Sequence, residues 1–443
     1  MSLRSCISKL KRDLPIVLVI VATFVVSGGV FLLVAPPSSM IASANLAQPL
    51  SFAVSVSKNI SSAKWNTLSG AMPQLVGHRG EKAFMPEHSL GSYWQAALEG
   101  ADYIEPDLGL TKDGHLVVNH NEYLGETTNV ASIASLAHLR TNKTWIDDTT
   151  GMNQTVVNEW FISDMTLEQV KMVRINQDPK YPWRPQHFNG LFGVLTFEEY
   201  LQTILNLTST LKRPFGVIPE LKSPKLYNRG RPYDRYFEDR AILTMQHYGW
   251  ANITRWINRE LHADLNLQSI SEAFAGLQKG PSAWQSFDLD TARYLAQHTD
   301  TPVVALVEKL PWAFTPKGLD QIAQFAKIIS SWKDVYLVGP VAYLQSSGIS
   351  WDDDEIAKLG GFIEANDLPR EIHARGMELS PYTFYDSHQD MGYLCSDKSS
   401  ATFCPRNRKE ELFYFFELGV DYLFVENIVE ASMLRLEYDN TLR

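Results

Sequence analysis

The stretch LVGHRG at residues 75–80 is an apolar run that ends in a histidine and an arginine, and LVVNH (116–120) and FGVIPELK (215–222) repeat that pattern. A short apolar run that ends in a polar residue is typical of a buried barrel strand whose last side chain reaches the mouth. Amphipathic helical patterns, such as those at 89–98 and 319–329, separate the runs. This alternation predicts an α/β protein, a parallel (β/α)8 barrel in one catalytic domain.

Nine candidate strands compete for the eight places of such a barrel. They are 74–78, 103–110, 116–120, 215–222, 282–287, 303–308, 336–339, 379–384 and 422–426. One of them must be a loop, and the sequence does not identify which. Residues 123–190 are too long for a plain connection, so we expect an insertion that caps the active-site mouth or, alternatively, a surface excursion without substrate contact.

Glu105 and Asp107 lie two residues apart in one candidate strand, so both carboxylates should point to the same face. Oxygen ligands without cysteine favour a hard divalent cation, Ca²⁺ or Mg²⁺, and Glu220 could complete its ligand set. The alternative is a solvated acidic pair on a strand edge. Lys222 shares a face with Glu220 and could bind a phosphate, although a salt bridge between the two is equally plausible.

His78 and His120 each close an apolar run. Two imidazoles that face one phosphate can give and take a proton in a single cycle, whereas either one alone would more often be structural. Arg79 offers a fork of donors suited to phosphate oxygens. Gln285 also ends a strand and could orient a group at the site or be a buried structural amide.

Several longer motifs together resemble the glycerophosphodiester phosphodiesterase family. They are GHRG (77–80), PE (86–87), GADYIEPD (100–107), TKDG (111–114) and PELK (219–222), and later QSFD (285–288) and HARG (373–376). The stretches NE (121–122), TTNV (127–130), WF (160–161) and TFEE (196–199) are similar to its long periplasmic or secreted branch. The likeness covers about residues 74–430.

The resemblance implies a barrel enzyme that uses a divalent cation to hydrolyse glycerophosphodiesters to glycerol 3-phosphate and an alcohol. By matching motifs, His78 and His120 would be the acid/base pair. The other matched residues would be the metal ligands Glu105, Asp107 and Glu220 and the phosphate contacts Arg79 and Lys222. Which histidine is the acid, and whether water or the substrate's own hydroxyl attacks, stays open.

Three positions depart from the family pattern. His88 stands where the family usually has Asn, Asn121 where an Asp often follows the second histidine, and Glu426-Asn427 where the last strand usually ends in Thr-Asp. None of them removes a metal ligand or either histidine. Trp312, Phe314 and Tyr382 are candidates for an apolar wall beside the alcohol, although such aromatics are more often core residues.

Two other functions fit the same residues. One is a lysophospholipase D or sphingomyelinase D-like phosphodiesterase that acts on membrane lipids. The other is a cell-surface protein that binds glycerophosphoryl groups without turnover, which two titrating imidazoles argue against. A net charge of -10 over 443 residues, without a basic stripe, argues against nucleic-acid binding. The number of chains that associate cannot be predicted.

The first 73 residues differ from the rest. Lys9, Lys11 and Arg12 precede 22 uncharged residues at 14–35, enough for a helix that crosses a bilayer. We therefore expect a cytoplasmic segment at 1–13, a transmembrane signal anchor at 14–35, a linker at 36–73 and an exported catalytic domain at 74–443. A cleaved signal peptide, with secretion of the protein, is the alternative.

Cysteine and sequon positions agree with export. Cys6 precedes the apolar segment and would remain in the cytoplasm. The other two cysteines, Cys395 and Cys404, are therefore predicted to form a disulfide. The candidate glycosylation sites are Asn59, Asn142, Asn153, Asn206 and Asn252, each the first residue of an Asn-X-Ser/Thr sequon.

Overall fold

The structure is a computed structural model, and it describes residues 22–26, 29–33, 64–258, 267–386 and 403–443. The chain divides into two compact units, Met1–Ser55 and Val56–Arg443. The strands of the first unit are β1 (Ala22–Val26) and β2 (Gly29–Leu33). The strands of the second unit are β3 (Gln74–Gly77), β4 (Tyr103–Ile104), β5 (Asp107–Leu110), β6 (Leu116–Val118), β7 (Thr141–Ile146), β8 (Asn153–Glu159), β9 (Gly216–Val217), β10 (Glu220–Leu221), β11 (Trp284–Ser286), β12 (Val303–Leu306), β13 (Ile328–Ser330), β14 (Glu378–Leu379) and β15 (Tyr422–Val425).

Helices alternate with most of these strands. The α-helices are α1 (Leu90–Glu99), α2 (Leu167–Lys171), α3 (Phe197–Leu211), α4 (Pro224–Tyr227), α5 (Tyr236–His247), α6 (Leu289–His298), α7 (Pro316–Ile322), α8 (Asp334–Val338), α9 (Pro340–Ser346), α10 (Asp353–Lys358), α11 (Leu368–His373), α12 (Arg408–Leu418) and α13 (Ile428–Thr441). Short 3₁₀ helices lie at Val130–Ser132, Ala134–Leu139, Ile162–Asp164, Glu272–Phe274 and Pro311–Phe314.

Local sequence explains where the longer helices begin. The Ser89 side chain caps α1 by accepting a hydrogen bond from the Ser92 N–H, and the Asp288 carboxylate caps α6 in the same way. Thr196 and Glu199 form a capping box at the start of α3, in which each side chain accepts from the other residue's N–H. These caps satisfy backbone donors that the first helical turn leaves unpaired.

The parallel strands form a barrel with eight positions. β15 pairs with β3, β3 with β4, and β4 with β9. After short breaks, β4 continues as β5 and β9 as β10. β10 then leads through β11, β12 and β13 to β14. A parallel bridge between Phe384 and Val425 closes the ring. The predicted α/β barrel is therefore confirmed.

The nine candidate strands contained two errors and one omission. Residues 116–118 pair antiparallel with β5, so they form a hairpin beside the barrel and occupy no barrel position. Residues 336–339 fall on helix α8 and the glycine that ends it. The missing barrel strand is β13, which the sequence placed at the end of a helical pattern. Short apolar runs do not distinguish a buried strand from a buried helix by periodicity alone.

Strand alternation divides the buried side chains between two cores. Val76, Val304 and Phe424 belong to a cluster inside the barrel, whereas Leu75 and Leu423 belong to the larger core between the strands and the helices. Successive side chains of a strand point to opposite faces, and both faces of a barrel strand are covered. This burial explains why the strands are continuous apolar runs with a polar residue only at the end.

The predicted transmembrane helix at 14–35 is wrong. Within that range the structure has β1 and β2, which pair antiparallel with Val26 opposite Gly29. Among the described residues no helix combines the length and apolar character needed to cross a bilayer, so the single-pass membrane location is not supported. Runs rich in valine favour strands, and only Ser27 and Gly28 separate the two strands in sequence. The rest of the range 1–63 lies outside the described residues.

The predicted disulfide also finds no support. Cys404 is a half-buried free cysteine, and Cys6 and Cys395 lie outside the described residues. Asn59 lies outside them as well. The other four sequon asparagines, at positions 142, 153, 206 and 252, are exposed, and their glycosylation stays a prediction.

Candidate active site

A cavity of about 380 Å³ opens at the carboxyl ends of the barrel strands. Side chains that follow the strands line it, together with part of the 123–190 segment. The lining residues from the strand ends include His78, Arg79, Glu105, His120, Glu220, Lys222, Gln285, Phe287, Glu308, Trp332, Tyr382, Tyr385 and Glu426. The structure therefore brings together the histidines and phosphate contacts that the sequence singled out, at the end of the barrel where enzymes of this fold carry their chemistry.

Three carboxylates meet beside this cavity. Glu105 lies between β4 and β5, Asp107 begins β5, and Glu220 begins β10 directly opposite Asp107 in the parallel pair. One oxygen of each lies within 4.8 Å of the others, and all three residues are buried. The predicted ligand set thus forms a single oxygen-lined cluster.

Electrostatics indicate that this cluster can hold a divalent cation. Burial and then repulsion by the other two carboxylates raise the pKa of Glu105 well above its ordinary value. Burial likewise raises the pKa of Glu220 to about 8, although Lys222 opposes the shift. Glu220 Oε1 is buried without a hydrogen-bond partner. A hard cation would neutralise the repulsion and satisfy that oxygen, so the residues fit the predicted Ca²⁺ or Mg²⁺.

Neighbouring groups fix the orientation of the carboxylates. The Arg79 N–H donates to Glu105 Oε2 (2.8 Å), and Gln285 Nε2 donates to Glu105 Oε1 (3.3 Å). His88 Nε2 lies 2.8 Å from Asp107 Oδ2, and its Nδ1 lies 2.9 Å from the Tyr93 hydroxyl. His88, one of the departures from the family pattern, therefore fixes the orientation of the Asp107 carboxylate.

The two histidines are anchored through the same ring nitrogen. His78 Nδ1 lies 3.2 Å from Glu426 Oε1, and His120 Nδ1 lies 2.8 Å from Asn121 Oδ1. Burial, then Arg79, lowers the pKa of His78 to about 4. Burial, Arg79 and Lys222 lower the pKa of His120 well below its ordinary value. Both shifts favour the neutral form of the ring, and Nε2 of each is the nitrogen left for a substrate.

The predicted phosphate contacts flank the carboxylates. Lys222 Nζ lies 3.5 Å from Glu220 Oε1, and Arg79 Nη1 donates to Glu87 Oε2 at 2.9 Å. Arg79 Nε is 3.5 Å from Asp107 Oδ2, and it is buried without a hydrogen-bond partner. The Arg79 and Lys222 side chains therefore border the cavity beside the carboxylate cluster, where they would offset the negative charge of a bound phosphate.

A second group of charged residues was not assigned from the sequence. Glu426 is fully buried and contacts His78, Arg184 and Lys82, whose Nζ lies 3.6 Å from Glu426 Oε1. Lys82 also pairs with Glu87 at 2.9 Å. A signal for Glu426 existed, because it follows the apolar strand β15 as His78 follows β3. Arg184 reaches the site from the 123–190 segment, and no sequence signal marks it.

The 123–190 segment contributes six side chains to the cavity wall: Glu126, Thr127, Thr149, Asp178, Lys180 and Tyr181. Arg184 also donates to Asp386 through Nε at 3.1 Å. Asn121, just before the segment, links it to the histidine by donating to Glu126 Oε2 at 2.6 Å. Substrate contact by this segment is thus geometrically possible.

Comparison with known proteins identifies the family. Residues 78–251 match the model of the glycerophosphoryl diester phosphodiesterase family. A glycerophosphodiester phosphodiesterase of Haemophilus influenzae is 31% identical over 352 residues, which cover 74% of this chain and 85% of that protein. Another, of Arabidopsis thaliana, is 29% identical over 325 residues, which cover 73% of this chain and 77% of that protein.

A solved structure agrees at the level of fold. A Silicibacter pomeroyi protein assigned as a glycerophosphoryl diester phosphodiesterase superposes with a TM-score of 0.51 and 14% identity, over 85% of this chain and 98% of its own. The family match, the relatives and the barrel agree with one another. The chain is an enzyme that belongs to the glycerophosphodiester phosphodiesterase family.

Proposed function

We propose that this enzyme hydrolyses glycerophosphodiesters such as glycerophosphocholine or glycerophosphoethanolamine to sn-glycerol 3-phosphate and an alcohol, with one divalent cation. The observation that carries the proposal is the carboxylate cluster of Glu105, Asp107 and Glu220 at a cavity that His78 and His120 also line. Metal-dependent hydrolysis of a phosphodiester needs these groups together, because the charge on the phosphate must be neutralised and two protons must be transferred within one site.

The cation would be held by Glu105, Asp107 and Glu220. When bound, a divalent cation neutralises charge on a phosphate oxygen and lowers the pKa of a hydroxyl beside it. Oxygen-only ligands support Ca²⁺ or Mg²⁺ as its identity. Gln285 and His88 act through these ligands, since each contacts one carboxylate and keeps its oxygens in place.

Arg79 would bind the phosphate oxygens through the paired N–H donors of its guanidinium group, and Lys222 would bind them as a point charge. One neutral imidazole then takes the proton of the attacking hydroxyl through Nε2. The negative charge of the bound phosphate raises the pKa of the other histidine, so that this ring carries a proton for that step. It gives the proton to the departing alkoxide, which is a poor leaving group without it. Attack by the adjacent glycerol hydroxyl gains effective concentration over attack by water and gives a cyclic phosphate as the alcohol departs. Water then adds to that phosphorus and breaks the P–O bond to the attacking hydroxyl, which leaves glycerol 3-phosphate.

The comparisons favour neither of the two alternative functions. The relatives carry the name of glycerophosphodiester phosphodiesterases, which supports small water-soluble diesters over lysophospholipids or sphingomyelin. A protein that only binds glycerophosphoryl groups would gain nothing from two histidines with neutral rings at one anion site.

The test uses the full chain stripped of metal with a chelator. It is incubated with glycerophosphocholine and a series of Ca²⁺, Mg²⁺ and Mn²⁺ concentrations, and released glycerol 3-phosphate is measured with a coupled dehydrogenase. We expect release that depends on the cation and that in the Glu220→Gln variant needs a cation concentration on the order of 100-fold higher. Release unaffected by chelation, or none with any cation, would refute the proposal.

A further inference from the structure

The far side of the cavity is aromatic. Phe287, Trp332 and Tyr382 follow β11, β13 and β14, and Tyr385 lies three residues after Tyr382. All four line the same cavity as the histidines. The strands that carry them are not those that carry the carboxylate cluster, so the two groups of side chains lie at different parts of the barrel mouth.

The rings present faces at steep angles to one another. The Trp332 and Tyr382 centroids are 6.0 Å apart with an interplanar angle of 77°. Trp332 and Tyr385 are also 6.0 Å apart, at 54°. Phe287 and Tyr382 are 6.0 Å apart, at 85°. At these distances and angles Phe287 and Trp332 pack edge to face with Tyr382, and all four aromatic residues line the cavity, as the rings of aromatic cages for organic cations line their sites.

One carboxylate stands with these rings. Glu308 lines the cavity just after β12, and the Tyr382 hydroxyl donates to its Oε2 at 3.1 Å. Its Oε1 accepts from the Tyr343 hydroxyl at 3.0 Å and lies 3.6 Å from Lys309 Nζ. Lys309 does not line the cavity, and neither does Lys333, which lies 5.9 Å from the centre of the Tyr385 ring and pairs with the buried Glu411. Among the described lining side chains on and after β11 to β14, Glu308 is the charged one.

With a divalent cation held by the three carboxylates, the mouth has groups of opposite charge on its two sides. Arg79 and Lys222 supply positive charge at the phosphate side, and Glu308 supplies negative charge at the aromatic side. A quaternary ammonium group has no N–H to donate, so ring faces and a fixed carboxylate stabilise it without hydrogen bonds. An anionic group there would be repelled by the Glu308 carboxylate.

We propose that Glu308 and the rings of Trp332, Tyr382 and Tyr385 bind the alcohol part of the substrate and select a quaternary ammonium alcohol such as choline. The inference rests on the proposed function, because it assigns one end of the diester that the phosphate side hydrolyses. It makes the preferred substrate a zwitterion whose two charges match the two sides of the mouth.

The experiment compares glycerophosphocholine with its uncharged isostere, the glycerophosphodiester of 3,3-dimethylbutanol, which has the same shape. We expect kcat/KM for the choline diester to exceed that for the isostere by about tenfold, the size of a desolvated cation–π contact. Free choline should also inhibit competitively at lower concentration than 3,3-dimethylbutanol, a measurement that needs no variant.

Two variants test the residues. Trp332→Leu and Glu308→Gln should each bring the choline-to-isostere ratio close to one. Trp256→Leu is the matched control, because Trp256 is 78% exposed and lies outside the described cavity lining, so its ratio should equal that of the parent protein. A Trp332 variant that fails to fold leaves Glu308→Gln and the inhibition by choline as independent tests.

The outcomes separate this inference from the proposed function. Hydrolysis of both diesters at equal kcat/KM, with equal inhibition by the two alcohols, overturns the choline assignment and leaves the proposed function standing. An unchanged choline-to-isostere ratio in both variants would mean that the choline group binds elsewhere, and it would also overturn the choline assignment. Failure to hydrolyse any glycerophosphodiester removes the proposed function and this inference with it.

Discussion

The two sides of the barrel mouth are built alike and differ in chemistry. The side formed after β15, β3, β4 and β10 carries the buried carboxylates Glu105 and Glu220 and the half-buried His78. The side formed after β12, β13 and β14 carries half-buried rings and one carboxylate, Glu308. Each barrel strand delivers its own side chain to the mouth. Phosphate chemistry and recognition of the alcohol can therefore vary independently, and the predictions below test that separation.

Loss of a histidine on the charged side should have the largest effect. We expect His120→Asn to lower kcat for every diester on the order of 10³-fold, because a positioned acid or base contributes about that much. The measurement is steady-state release of glycerol 3-phosphate. His115→Asn, in the same hairpin but outside the described cavity lining, is the matched control. Similar losses in both variants would mean that the effect is structural.

Removal of a carboxylate charge should change the metal affinity of the protein on the charged side of the mouth and leave it unchanged on the aromatic side. Glu220→Gln should weaken binding of Ca²⁺ or Mn²⁺ on the order of 100-fold, since even indirect partners of metal ligands contribute 10–100-fold. Isothermal titration of the metal-free chain measures the dissociation constant. Glu308→Gln, the equivalent change on the aromatic side, should leave it unchanged. Equal weakening in both variants would contradict the proposed cation site.

Glu426→Gln should lower kcat about tenfold, because a charged hydrogen bond to His78 becomes a neutral one. The Glu426 carboxylate raises the pKa of His78, so its removal should lower that pKa further. The limb of the pH profile of kcat/KM that reports His78, which is the acidic limb for a base and the basic limb for an acid, should then move to lower pH. Movement to higher pH would be inconsistent with this contact, and the melting temperature of the variant controls for the lost pairing with Arg184.

The smallest expected effect is on stability. The pKa of Glu220 rises from 4.5 to about 8 on folding, so the folded metal-free protein binds this proton more tightly than the unfolded chain. The free energy of unfolding should therefore fall as the pH rises from about 4.5 to about 8. Melting temperatures across that range should show a decline that saturating Ca²⁺ or Mg²⁺ reduces. A decline of the same size with and without the cation would argue against binding at Glu220.

The charged side was largely predictable from the sequence. His78, Glu105 and Glu220 each follow an apolar run, and a parallel barrel brings such strand ends to one mouth. Glu426 follows the same rule and was overlooked, because it was noted only as a departure from the family pattern. Arg184 could not be predicted, since its contact with Glu426 depends on how the 123–190 segment folds back over the barrel.

The aromatic side was mostly not predictable. Of the three residues expected to form an apolar wall, only Tyr382 lines the cavity, whereas Phe314 is buried in the outer core and Trp312 packs against that core. Trp332 follows β13, the strand that the sequence placed in a helix. An aromatic residue carries no signal that separates a core position from a binding position, so the three-dimensional arrangement decides between them.

The most direct test of the account is the position of the cation. Crystals of the protein grown with Mn²⁺ and glycerol 3-phosphate would locate the metal by its anomalous scattering. The account predicts one Mn²⁺ within about 2.0–2.4 Å of oxygens from Glu105, Asp107 and Glu220. The product phosphate should lie beside it, between His78 and His120. Mn²⁺ bound elsewhere, or a phosphate at the aromatic side, would contradict the central claim.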